Sequence, residues 1–170
     1  MRRWHLALVM ATPAFPQNKM ISAPQIYETE AYGFAQAVTN DGLILLSGQV
    51  GWTRERQLPP PGDFAAQARQ ALANIREILL TEKCGTNTIM RLRWYVVGLD
   101  REKMRQINTL QAGFFSDGYK PASTVVGVAA LGRSELLVEI EAEARNPRGA
   151  ISRVDRAVAP ERCHSARAQD

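Results

Sequence analysis

Between residues 136 and 144 the chain reads LLVEIEAEA. Taken two at a time, Val138, Ile140, Ala142 and Ala144 fall on one side and Leu137, Glu139, Glu141 and Glu143 on the other. Side chains alternate across a strand with period two, so this is a strand with one apolar and one acidic face. The segment IMRLRWYVVGL alternates in the same way, setting Met90, Leu92, Trp94 and Val96 against Arg91, Arg93, Tyr95 and Val97. Strands of this kind belong in a sheet that is covered on one side and charged on the other.

The remaining segments supply that cover. Asp63 is placed to cap a helix in which Phe64, Ala68, Ala71, Leu72, Ile75 and Leu79 recur at helical spacing, with Gly85 placed to stop it. Asp100 is placed to cap a second helix, with Met104, Ile107, Leu110 and Phe114 as its stripe. Asn40-Asp41-Gly42 marks a turn between Phe34/Gln36/Val38 and the apolar run from Leu43 to Leu46, which predicts a hairpin. Ser47-Gly48 interrupts its second strand and predicts a bulge or a close backbone approach. The three prolines at 59–61 mark a loop, and STVVGVAAL and LLVEIEAEA read as two more strands joined by the turn GRSE.

The order is therefore ββ–α–β–α–ββ, an α+β chain. Two helices cover one face of such a sheet. The other carries Arg91, Arg93, Tyr95, Glu139, Glu141 and Glu143, beside either Thr124, Val126 and Val128 or Val125, Gly127 and Ala129, according to register. Two readings of that face stay open: a subunit interface with a wet pocket, or a solvent surface whose charge pairs contribute little.

Charge and rare residues narrow the function. The 170 residues carry a formal charge of +4, but residues 1–20 hold +3 and residues 146–170 hold +2, leaving −1 for residues 21–145. A basic nucleic-acid-binding face is not expected on such a domain, and no apolar run is long enough to span a membrane. His5 and His164 both lie in the ends, so the central region has no histidine base or ligand of its own. Cys84 and Cys163 form neither a metal-ligand spacing nor a disulfide framework, which fits a reducing, cytoplasmic setting. Residues 1–20 are read as an extension. They resemble a short signal-like segment interrupted by His5, and Met20 is an alternative start. Residues 21–145 form the domain, and 146–170 read as a disordered basic tail.

Within the domain, YGFAQAV, LLSGQV, QARQALANIREIL, INTLQAGFF, PASTVVGVAALG and VEIEAEA occur in order. In this the chain resembles the RidA/YjgF/YER057c family, also known as L-PSP. The resemblance implies a chorismate-mutase-like subunit, a six-stranded mixed sheet with two helices on one face. It also implies a homotrimer with the sheets inward and small-molecule ligands at the subunit interfaces. It further implies hydrolysis of enamine or imine intermediates, without metal or cofactor. Carried over by matching motif, Glu139 is the catalytic carboxylate that positions water. Phe34, Ser47, Gly48, Asn108, Ser123 and Thr124 fall at ligand-binding positions.

Two positions depart from the family pattern. Ser123 in PAST stands where active members carry a carboxylate-clamping arginine, and Phe34 stands where a tyrosine is usual. Arg93, on the polar face, is a candidate replacement for the clamp. Structural alternatives stand beside these roles: Glu139 as an ion-pair partner of Arg91 or Arg93, Asn108 as a helix-surface hydrogen-bonder, Ser47-Gly48 as a plain bulge, and Cys84 as structural. Two functions remain in play, a RidA-like deaminase acting on a small reactive metabolite and a non-catalytic trimer that binds a small metabolite. A ribonuclease ranks below both, since the domain lacks a histidine pair and net positive charge.

Overall fold

The computed structural model describes residues 17–115 and 118–148. The expectations for the first 16 residues, and for the tail from residue 149 onward, lie outside the described residues. Six strands form one sheet: β1 (Lys19–Ile21), β2 (Ala37–Asn40), β3 (Leu43–Val50), β4 (Ile89–Val97), β5 (Ala122–Val128) and β6 (Val138–Arg145). Their order is β1-β2-β3-β6-β4-β5, and only β4 and β5 run parallel. Two helices, α1 (Phe64–Thr81) and α2 (Arg101–Phe114), complete the fold. Periodicity marks five of the strands. β1 is three residues long, too short to show alternation, and it straddles the boundary placed at residues 20 and 21.

Both helices start where their capping aspartates predict. Asp63 accepts from the Ala66 N–H at 2.8 Å, and Asp100 accepts from the Lys103 N–H at 2.8 Å. The stop of α1 differs from expectation. Lys83, at φ 55°, takes the left-handed position, with its N–H bonded to the Leu80 carbonyl and the Cys84 N–H bonded to the Leu79 carbonyl, both at 2.9 Å. This pair of bonds closes the helix two residues before Gly85, at a cost of about 1–2 kcal/mol for a non-glycine residue in that conformation. Cys84 is buried behind the closure as a free thiol, and burial pushes its pKa up.

The apolar stripe of α1 packs with Leu92, Trp94, Val96, Val138 and Ile140 on one face of the sheet. Trp94, Ile75, Ile78, Leu92 and Ile140 are fully buried there. Each such side chain stabilises the fold by about 1.5–3 kcal/mol, which outweighs anything the charged face supplies. From α2, Ile107 and Phe114 are buried in this core, with Met104 and Leu110 packed against it.

Register fixes the other face. Arg91, Arg93 and Tyr95 lie opposite Glu143, Glu141 and Glu139, while Arg93, Tyr95 and Val97 lie beside Thr124, Val126 and Val128. Of the two alternatives for β5, the charged face therefore carries Thr124, Val126 and Val128. β5 and β6 are not neighbours, because β4 lies between them. GRSE thus sits within the long link of residues 129–137 and is no hairpin turn. At the far end, Asn146 donates to the Gly42 carbonyl at 2.7 Å and to the Glu82 carbonyl at 3.1 Å, so residues 146–148 are tied to the domain. No helix among the described residues is long and apolar enough to cross a membrane.

Candidate active site

Three buried amide side chains hold three stretches of irregular backbone around one end of β6. Gln36 bonds the Ala23 N–H and, at 2.9 Å, the Tyr27 carbonyl, fixing the segment that carries Tyr27. Asn74 of α1 donates to the Val50 and Trp52 carbonyls at 3.1 and 3.0 Å, fixing the end of β3. Gln67 of α1 donates to the Glu135 carbonyl at 3.0 Å and accepts from the Leu137 N–H at 2.9 Å, fixing the link between β5 and β6. Each amide satisfies backbone groups that a buried loop would otherwise leave unpaired.

These walls enclose a cavity of about 250 Å³ lined by Tyr27, Tyr32, Phe34, Gly48, Val50, Trp52, Arg133, Leu136 and Glu139, among others. Glu28 and Thr29 line it too, so aromatic walls are mixed with two carboxylates, Glu28 and Glu139, and one guanidinium, Arg133. A wider hollow of about 440 Å³ along the open face shares Gly132 and Glu139 with it, and reaches Tyr95 and Glu141. Glu139 thus stands where the two spaces meet.

The Glu139 carboxyl abuts the bulge that Ser47-Gly48 predicts. The β3–β6 register shifts between Leu46 and Gln49. There the Gly48 backbone comes so close that a Cβ on it would lie 1.8 Å from Glu139 Oε1. None of the ion pairs among the described residues includes Glu139. Desolvation by burial, reinforced by the neighbouring charge of Glu141, pushes its pKa up. Tyr27, beside it, is buried, and its phenol is pushed up to about 12, chiefly by desolvation. It stays protonated at neutral pH and accepts a long bond of 3.4 Å from the Val50 N–H, which leaves its own proton to donate.

The rest of the glutamate row is occupied within the sheet. Arg93 pairs with Glu141 and, at 3.0 Å, with Glu143. Arg91 reaches Glu143 at 3.4 Å, and the Tyr95 hydroxyl donates to Glu141 at 3.0 Å. Arg93 lines a different hollow, with Leu45, Leu46 and Glu143, and takes no part in the Glu139 cavity.

The residues assigned by sequence fall into three places. Phe34, Gly48 and Glu139 line one cavity, and Ser47 adjoins it, with its hydroxyl donating to the Ala35 carbonyl at 2.7 Å. Ser123, on the edge strand β5, donates to Gln111 of α2 at 2.9 Å; the same oxygen accepts from the Trp94 indole at 3.1 Å. Asn108, exposed, lies one turn before Gln111 on α2. Thr124 and Arg93 share the open face. Sequence reasoning missed Tyr27, Trp52, Arg56 and Arg133. Tyr32, in a short 3-10 turn, Glu30–Tyr32, also lines the cavity with Phe34. The readable trace of the missed residues was the aromatic spacing of Tyr27, Tyr32, Phe34 and Trp52, which follows no strand period. No group of three or more His, Cys, Asp or Glu side chains among the described residues is arranged to hold a metal ion.

The chain is thus a two-layer α+β fold with a carboxylate-bearing cavity beside a β-bulge. The family model described as endoribonuclease L-PSP matches residues 24–146, and the chain belongs to that RidA/YjgF/L-PSP family. Similar proteins include the 2-iminobutanoate/2-iminopropanoate deaminase of Mus musculus, 36% identical over 109 residues, covering 64% of this chain and 78% of that one. The Homo sapiens protein of the same name is 32% identical over 111 residues, covering 65% and 78%. Among solved structures, a Mycobacterium tuberculosis member of the YjgF/YER057c/UK114 family is 30% identical with a TM-score of 0.62, covering 76% of this chain and all of that one. RidA from a Psychrobacter species is 26% identical with a TM-score of 0.67, covering 75% and 99%.

Proposed function

We propose that the chain hydrolyses a small 2-imino acid, or the enamine in equilibrium with it, to a 2-oxo acid and ammonia. The carrying observation is the Glu139 carboxyl, unpaired and desolvated against Gly48 at the junction of two cavities. In the ionised form it takes a proton from water as the oxygen attacks the carbon of the protonated imine. The resulting carbinolamine collapses when that proton passes to the nitrogen, which leaves as ammonia while the hydroxyl proton returns to Glu139 and the carbonyl forms. One water is consumed, and neither metal nor cofactor is needed. A carboxyl whose pKa burial pushes up gives up its proton less readily than a free carboxyl and takes one more readily, which suits a group that carries a proton between the two steps.

The cleft belongs to an assembly in this reading. Glu139, Gly48 and Phe34 make one half-site, and Asn108 with Ser123 lies elsewhere, at the β5 edge. Apposing two copies in a homotrimer with the sheets inward joins the halves. The open face supports this, since Leu45 and Val126 expose 49% and 40% of their surface there, beside an unpaired edge strand. The partner of the cavity is a small molecule rather than RNA, because the domain has no histidine to pair with Glu139. A buried free thiol at Cys84 suits the cytoplasm.

A second reading, a trimer that binds a metabolite without turning it over, is favoured by one observation: Ser123 puts no cation on the β5 half-site. Ammonia release from freshly generated 2-iminobutanoate separates the two. Turnover above the spontaneous rate, reduced about 100-fold or more in Glu139→Gln, is expected. Wild-type rates at background, or a variant as fast as wild type, contradict the proposal.

A further inference from the structure

Arg133 lines the Glu139 cavity from the β5–β6 link. Its guanidinium lies 5.7 Å from the centre of the Trp52 ring, which lines the same cavity. Its ion pair with Glu135 is long, at 3.5 Å, and both side chains are about half exposed, so the pair contributes little. A guanidinium has five N–H donors, and one exposed contact leaves most of them for a ligand. The backbone that carries it is fixed, since Gln67 pins residues 135 and 137 to α1. The other nearby arginine is already engaged. Arg56 donates to the Tyr32 hydroxyl and the Glu28 carbonyl, and its face covers the Tyr32 ring at 4.7 Å.

We infer that Arg133 is the carboxylate clamp of this cavity, holding a 2-oxo or 2-imino acid from the Glu139 half-site. This inference rests on the imine-hydrolase reading for the identity of the substrate, but not for the anion site itself. The carboxylate sits on the guanidinium at the rim, the reacting carbon faces Glu139, and the substrate side chain lies among Tyr27, Phe34 and Trp52. The departure at Ser123 then relocates the cation to the opposite wall of the cleft.

The test uses the full chain and two measurements. Calorimetric titration with 2-oxobutanoate, the product of 2-iminobutanoate hydrolysis, reads the clamp without turnover. Arg133→Gln is expected to weaken binding about 10–100-fold, and Arg133→Lys to restore part of it, since lysine keeps the charge but not the planar fork. In the ammonia assay, Arg133→Gln is expected to raise KM by a similar factor with kcat changed less than about threefold. Binding that depends on Arg133 in a protein without turnover supports the clamp and sinks the hydrolase reading. Turnover with an unchanged KM in Arg133→Gln does the reverse. No binding of 2-oxobutanoate to wild type, or a loss with Arg56→Gln in place of Arg133→Gln, overturns the clamp. Circular dichroism and thermal melts of each variant confirm that this exposed position leaves the fold intact.

Discussion

At the scale of single residues, the proposed chemistry turns on one contact, the Gly48 backbone against the Glu139 carboxyl. Gly48→Ala places a methyl group where Oε1 lies, so the flexible carboxyl swings away while the strand keeps its register. Folding is expected to survive, and kcat/KM for 2-iminobutanoate is expected to fall about 100-fold, the usual effect of displacing a reacting group by an ångström or so. Glu139 also costs stability. Its pKa is raised in the folded state, so ionising it opposes folding as pH climbs through the folded value. Glu139→Gln should therefore melt higher than wild type at neutral pH. That gain should disappear below the ordinary carboxylate value, where both states of the wild type are protonated. Melting curves across pH read this directly; a variant less stable than wild type at neutral pH contradicts it. Of this site, Glu139, Gly48 and Phe34 were legible because they sit in family motifs. Arg133 and Tyr27 were not, because loop residues reach the cavity through tertiary placement that no local period encodes.

At the scale of elements, the helices were the legible part. Asp63 and Asp100 announced their starts, and the apolar stripes gave the buried faces. Gly85 misled, because the left-handed turn was taken by Lys83, and a propensity for glycine there is only a preference. The β5–β6 adjacency also misled. Two alternating segments close in sequence look like a hairpin, whereas β4 sits between them and pairs with both. The polar residues on the inner face of α1 had a purpose that periodicity does not reveal. Gln67 and Asn74 are buried, and each bonds two backbone groups of the cavity walls. Asn74→Leu leaves the Val50 and Trp52 carbonyls without their donor. It is expected to cost about 1–3 kcal/mol per orphaned group in chemical denaturation, and to weaken ligand binding as the β3 end loosens. A midpoint equal to wild type would mean that water replaces the amide.

At the scale of the whole molecule, the sheet has a sealed side and an unfinished one. The helix-covered side accounts for the stability of the subunit. The open side combines the Arg91–Arg93–Glu141–Glu143 network with exposed Leu45 and Val126, a mixture suited to an interface with a polar centre. Sedimentation equilibrium should give about three times the 18.9 kDa chain mass, and Val126→Lys should shift it to monomer with loss of ammonia release. A fully active monomer would place the whole site within one subunit. The most direct test of the account is the pH dependence of kcat/KM for 2-iminobutanoate on the wild-type protein, from about pH 5 to about pH 9, with Glu139→Gln beside it. The account predicts a rate that falls on the acid side with an apparent pKa above the ordinary carboxylate value, and a variant that lacks this limb. A wild-type profile without the limb, or a limb that persists in Glu139→Gln, would contradict Glu139 as the group that moves the proton.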